Sequence, residues 1–358
     1  MYKKSILSRM TYFIPVFCLI IYPQLNAQSG WQNPSDRYIN AYKDYLNQEL
    51  SVRDDGIHHF VYFARDRDAV RGHSFLNVPS FAGAQIMYSW RELEPEKDRY
   101  DFSAILEDYE YLQTKGKKLF IQLQDTTFNP NNLGVPDYLM TPEYGGGAIY
   151  QRDDNGNPEG WAAKRWNPDV RKRFAALLDA LGKTFDGIVT GINLQETAIG
   201  VSHENDPSFS PELYAAGIKA NMLAMKKAFP KSVTMQYANF MPGEWLPWDD
   251  LGYLRSIYQY GQDIGVGLGA PDLMVERKPQ LNHALALMHE GTYTVPVGIA
   301  VQDGNYIGRT GTNAVLQDRN TIVPLLHAFA KGFLGVDYMF WSYQEPYFRE
   351  DVIPYFTK

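Results

Sequence analysis

Residues Gly187 to Gly200 read GIVTGINLQETAIG. An apolar run carrying Ile188, Val189, Ile192 and Leu194 gives way abruptly to Gln195, Glu196 and Thr197. A buried parallel strand presents its carboxyl end to a ligand, so this pattern makes Glu196 the first candidate for a catalytic acid or base. The same change recurs along the chain, at Arg65-Asp66, Tyr88-Ser89-Trp90, Gln124-Asp125, Tyr237-Ala238-Asn239, Pro271-Asp272, Gln302-Asp303 and Trp341-Ser342-Tyr343. Amides, carboxylates and flat rings gathered in one place suit a sugar: amides and acids bond hydroxyls, and an aromatic face covers the apolar side of a pyranose. Gln124, Gln195, Asn239 and Gln302 are the candidate amides, Trp90 and Tyr237 the candidate rings. Asp303 is the candidate second carboxylate, with Glu345, Asp272 and Asp125 behind it. Arg65, Arg67, Arg71 and His73 follow the first such end within a few residues, and Arg91 follows the second, a cationic cluster suited to an anionic sugar.

These residues need a scaffold that brings strand ends together. Short β-rich runs at 57–64, 83–89, 117–124, 187–195, 232–239, 263–270, 295–302 and 335–341 alternate with helical patterns such as 104–114, 170–184, 211–228, 279–289 and 313–331. Strictly alternating βα units imply parallel strands with covering helices, and eight of them close a single (β/α)8 TIM barrel over residues 57–358. Residues 28–56 read as a lead-in helix, with Tyr38, Tyr42, Tyr45 and Leu46 at helical spacing for packing. The connection at 125–168 is the longest, rich in turn formers and aromatics, and a loop of that length in a compact barrel is usually functional. Its Asp153–Asn157 run reads as a hairpin turn, since it lacks the spaced ligands and terminal Glu of a calcium loop. No glycine-rich nucleotide fingerprint follows the first strand, and no H-x-H or H-E-x-x-H spacing occurs, so neither a cofactor nor a metal is expected.

Lys3, Lys4 and Arg9 precede an apolar run from Tyr12 to Tyr22, and Leu25-Asn26-Ala27 ends in a small residue, which reads as a signal peptide over residues 1–27. The run is interrupted by Pro15 and falls short of the roughly 20 residues a membrane span needs. An exported protein, periplasmic or extracellular and without stable membrane insertion, is expected. The one cysteine, Cys18, lies inside that segment, so the mature chain has neither disulfides nor thiolate chemistry. Without the three leader cations, about 31 Lys and Arg face 41 Asp and Glu, a net charge near −10 that disfavours nucleic acid as a partner.

Ser89-Trp90-Arg91-Glu92-Leu93-Glu94-Pro95, followed by Tyr100-Asp101-Phe102-Ser103, resembles the second-strand signature of clan A glycoside hydrolases, where a Trp-x-x-Leu-Glu-Pro segment precedes a Tyr-Asp-Phe helix start. Glu94-Pro95 and the Asp101/Ser103 pair also read as a turn and a helix cap. The resemblance covers roughly residues 57 to 345. It implies that Glu196, after Gln195 on strand four, is the general acid/base, and that Trp341 on strand eight floors a sugar subsite. It also implies a Glu at the end of strand seven, close to ~5 Å from the first in a retaining enzyme. Here the sequence departs from the family. Gly298 and Ala300 mark the inward register of that strand and turn Gln302 inward where the Glu is expected. Gln302 cannot be a nucleophile, which leaves Asp303 as the partner if the strand end bends.

Three functions compete on these residues. In glycoside hydrolysis Glu196 protonates the glycosidic oxygen while Asp303 attacks the anomeric carbon or activates water. In β-elimination from a uronic acid a base removes the proton α to the carboxyl group, positive or hydrogen-bonding groups stabilise the charge that develops, and the C4 substituent leaves, giving an unsaturated sugar. The third is a barrel that binds carbohydrate without turning it over. Hydrolysis of an oligosaccharide or polysaccharide fragment, neutral or anionic, is the primary expectation.

Overall fold

The eight apolar runs form the eight strands of a closed barrel. The computed structural model describes residues 32–48, 50–307 and 319–358; the leader assigned to 1–27 lies outside them. Strands β1 (His58–Tyr62), β2 (Phe81–Ser89) and β3 (Lys118–Gln124) are followed by a small antiparallel sheet in the long connection, β4 (Thr126–Thr127), β5 (Ala148–Arg152) and β6 (Pro158–Ala163). The barrel resumes with β7 (Gly191–Leu194), β8 (Val233–Tyr237), β9 (Gly267–Ala270), β10 (Val297–Val301) and β11 (Tyr338–Ser342). All neighbours pair in parallel, in the closed order β1-β11-β10-β9-β8-β7-β3-β2.

Helices wrap the outside, and the first four are started by chemistry visible in the chain. The short α1 (Trp90–Leu93) opens on a capping box between Ser89 and Glu92. The helix α2 (Ser103–Thr114) follows an Asp101 side chain that accepts the Ser103 amide. Asn167 caps α3 (Pro168–Phe185) and Ser210 caps α4 (Pro211–Ala228), both with proline at the first helical position. Then come α5 (Tyr253–Ile264), α6 (Lys278–Asn282), α7 (Ala284–Glu290), α8 (Arg319–Phe329) and α9 (Ile353–Phe356). The larger apolar core lies between strands and helices, and a smaller one fills the barrel with Phe60, Phe120, Met235, Tyr237, Tyr338 and Phe340. Glycines opposite these rings make the room: a Cβ on Gly191 would meet the Phe120 ring at 2.7 Å, and one on Gly269 the Tyr237 ring at 2.9 Å.

Several boundaries differ from the sequence reading. The strand expected at 263–270 is shorter, because α5 runs on to Ile264 and Gly265, at a φ of 76°, stops it in the left-handed conformation. Gly187 likewise takes a φ of 78° in a turn, and β7 begins only at Gly191. The helix expected at 279–289 breaks at His283, whose ring accepts the Leu246 amide. Of the segment 313–331, residues up to 318 lie outside the described ones and the remainder opens α8. The lead-in is two 3₁₀ turns, Pro34–Asp36 and Ala41–Tyr45, rather than one helix; its tyrosines are anchored separately, Tyr38 against Phe333 and Tyr45 against Phe329. The Asp153–Asn157 run is the hairpin between β5 and β6, with Asp153 Oδ1 accepting the Asn155 and Asn157 amides.

Candidate active site

At the carboxyl ends of the strands lies a cavity of about 320 Å³. Tyr62, Met87, Gln122, Gln124, Tyr237, Pro271 and Gln302 form its wall and floor, and Thr127, Phe128, Asn129 and Asn132 of the long connection overhang it. Glu196 and Arg65 are the charged residues in the lining. A second hollow of about 450 Å³ adjoins across Phe128 and includes Glu159, Phe240 and Trp245. Trp245 stacks on Phe240 at 5.7 Å yet remains 49% exposed. A larger hollow of about 750 Å³, bordered by Leu46, Val52, Pro324 and Tyr355, has no acidic side chain among the described residues of its lining.

Glu196 follows β7 and faces the first cavity. Burial, reinforced by the negative Asp272, pushes its pKa up to about 8, against the opposing pull of Asn239 and Arg165. The Asn239 side chain donates from Nδ2 to Glu196 Oε2 at 2.5 Å and accepts the Ala198 amide, which fixes the carboxyl group. Beneath it Arg165 makes a buried two-point ion pair with Asp125, at 2.6 and 2.8 Å, and donates to the Glu196 backbone carbonyl and the Tyr214 hydroxyl. Asp125 is thereby committed to structure. Asp272, after β9, is itself raised by burial. Asp303, after β10, is exposed and accepts from the Ser342 hydroxyl. Burial and the charges of Asp303, Glu196 and Asp272 raise the Tyr62 phenol, against the opposing charge of Arg65. Gln122 is buried, and its Oε1 finds no hydrogen-bond partner.

No family model matches the sequence, and a search of curated proteins returns no match. Among solved structures the chain is similar to the catalytic domain of a β-amylase from Paenibacillus polymyxa, with a TM-score of 0.54 and 10% identity over 82% of this chain and 93% of that one. It is also similar to endo-glycoceramidase II from Rhodococcus sp., with a TM-score of 0.52 and 13% identity over 81% and 74%. The chain shares its closed (β/α)8 barrel with both. At these identities the likeness is one of fold.

Within this barrel the expected residues separate into three groups. Arg65, Gln124, Gln195, Tyr237 and Gln302 reach the cavity beside Glu196, and Asn239 holds Glu196 from behind. Gln195 has less to offer a ligand, because its Oε1 accepts the Asp125 and Thr126 amides. Other expected ligands are elsewhere. Trp341 is fully buried on the outer face of β11 and donates its indole N–H to His59; Tyr338 and Phe340 take the inward positions, and alternation turns Trp341 out to the helices. Trp90 packs on Phe174 and donates to Glu94, because the capping box at Ser89 has already turned the chain into a helix. Arg71 pairs with Asp108, and His73 packs between Phe63, Phe75 and Phe348 while its Nδ1 accepts the Phe75 amide. Glu345 is exposed beyond the cavity lining, 3.9 Å from Arg349.

Tyr62, Gln122, Arg165 and Trp245 were not singled out by sequence, whereas Phe128 belongs to the aromatics of the long connection. Inward parity on β1 and β3 was the available signal for Tyr62 and Gln122; nothing local signals Arg165. One cluster among the described residues has metal-ligand types in reach of one another: Asp55, His59 and His327. Asp55 Oδ2 lies 2.9 Å from His59 Nε2 and 3.0 Å from His327 Nε2. The Trp341 indole donates to His59 Nδ1, so the proton of that neutral ring sits on Nε2, the atom a metal would need. The cluster therefore fits a buried contact of His59 and His327 on one carboxylate, joining β1 and α8, with hydrogen bonds between His59 and Asp55 and from Trp341 to His59, not a metal centre. No helix of the described residues is long and apolar enough to cross a membrane.

Proposed function

We propose that the chain is an exported glycoside hydrolase acting on polysaccharide-derived oligosaccharides, with Glu196 as its proton donor. The observation that carries this is the placement of Glu196: a buried carboxyl group held by Asn239 and facing a cavity at the strand ends, whose pKa burial and Asp272 push up to about 8, suited to delivering a proton to a departing glycosidic oxygen. Asn239 aims that carboxyl group, and Asp272 helps to keep the proton on it. Asp303, oriented by Ser342, supplies the second carboxylate that activates water or attacks the anomeric carbon. The unpartnered oxygen of Gln122 suits a sugar hydroxyl, and Phe128 and Trp245 offer aromatic faces that extend the cleft to a further sugar unit. Residues 1–27 act as a cleavable export signal, which N-terminal sequencing of secreted material checks: a mature terminus at Gln28 is expected.

The functional test follows reducing ends and ultraviolet absorbance together, over a panel of neutral and acidic oligosaccharides, for the wild type, Glu196→Gln, Asp303→Asn and Asp272→Asn. New reducing ends without absorbance, lost by about 10²-fold or more in Glu196→Gln, are expected. A conjugated product would mean elimination instead, and turnover undiminished in Glu196→Gln would overturn the assignment of the acid. Binding without turnover of any substrate would make the barrel a carbohydrate-binding protein.

A further inference from the structure

The cationic cluster expected around the strand ends is largely consumed by acids. Arg67 bonds Asp108 through Nε at 2.6 Å, Arg71 bonds the same carboxylate at 2.8 Å, and Arg91 forks onto Asp137 at 2.5 and 2.6 Å. Arg65 differs. Its Nε donates to Gln124 Oε1 at 2.5 Å, and no carboxylate among the described residues lies within 4.0 Å of its guanidinium. That one bond fixes the plane of the group at the cavity mouth and leaves the terminal nitrogens without a protein partner among the described residues. Arg65 is also the one cation in the lining, and Glu196 the one acid. Arg65 thus brings the positive charge of the lining, with its terminal nitrogens turned free of any protein carboxylate among the described residues. The charges of Asp272 and Asp303 act on Tyr62 against that of Arg65, and Glu92 is the acid whose charge supports Arg65.

We propose that Arg65 reads an anionic substituent, so that the sugar bound next to Glu196 carries an oxyanion, in the first instance the carboxylate of a uronic acid. This rests on the cavity being a glycoside-processing site. The two terminal guanidinium nitrogens match a planar carboxylate in a two-point contact, a geometry that an ammonium group does not reproduce. A sulfate ester offers the same oxygen chemistry on a tetrahedral centre.

The test measures binding by calorimetry to the Glu196→Gln protein, which keeps ligands intact. The probes are oligogalacturonate, oligomannuronate and a glucuronate-containing oligosaccharide, each beside its carboxyl-reduced neutral counterpart, and a sulfated oligosaccharide of similar length. At least one uronide should bind about tenfold or more tighter than its reduced counterpart. Adding Arg65→Met should collapse that difference, and Arg65→Lys should restore only part of it. Preference for the sulfated probe, lost in Arg65→Met, would keep the anion site and assign it to sulfate. Equal affinity for charged and reduced probes, a preference that survives Arg65→Met, or no binding to any probe overturns the proposal. Wild-type turnover is read separately, so discrimination without product would refute the hydrolase reading and leave the anion site standing.

Discussion

Replacing Glu196 by glutamine should stabilise the protein at neutral pH and leave it almost unaffected in acid. The unfolded carboxyl group ionises near 4.5 and the folded one near 8. Between those values the folded state holds a proton that the unfolded state has released, so stability falls as pH rises, by about 1.4 kcal/mol per pH unit. The favourable contribution is complete below the unfolded pKa and lost once pH passes the folded one. At pH 7 the loss amounts to about 3 kcal/mol. Glutamine keeps the volume and still accepts the Asn239 side-chain N–H, but has no proton to lose. Calorimetric melting of both proteins from pH 4.5 to 8 should show curves that nearly coincide in acid and separate by roughly 6 °C at pH 7. The comparison cancels the titration of groups common to both. A gap that stays constant across this range would refute the buried, protonated Glu196 and with it the proton donor.

Other expectations follow from neighbouring residues. Asp272→Asn removes the charge that raises Glu196, so the alkaline limb of the pH–rate profile should move below about 8; an unmoved limb would separate the two carboxyl groups electrostatically. Arg165→Met leaves Asp125 buried without its cation and should cost about 3 to 5 kcal/mol in denaturant unfolding; a loss below about 1 kcal/mol would mean that Asp125 is easily resolvated. Trp245→Ala removes an exposed ring, so melting should change by no more than about 0.5 kcal/mol. The same change should raise KM for longer oligosaccharides about three- to tenfold and spare the shortest substrate, whereas equal loss on both would remove Trp245 from the extended cleft.

The barrel was readable because each βα unit repeats one local pattern, and because the change from apolar to polar at each strand end is itself local. Glu196, Gln124, Gln302 and Arg65 were found in that way. Parity made the difference between Gln302 and Trp341. On β10, Gly298 and Ala300 mark the inward side by their small size, since Phe340 and Met235 fill the space next to them. On β11 the inward residues, Tyr338 and Phe340, are as bulky as the outward ones, so size carries no orientation and the family analogy placed Trp341 on the wrong face. The cationic cluster failed for a different reason. Whether Arg65 or Arg71 is available to a ligand depends on Asp108, more than 30 residues along the chain, as the support of Glu196 depends on an Arg165 that meets Asp125 across the long connection. Residue type and spacing therefore name the groups able to do chemistry at the end of a strand. Which of them remain unpaired is fixed by tertiary contacts, and an unpaired group at the cavity is what a substrate meets.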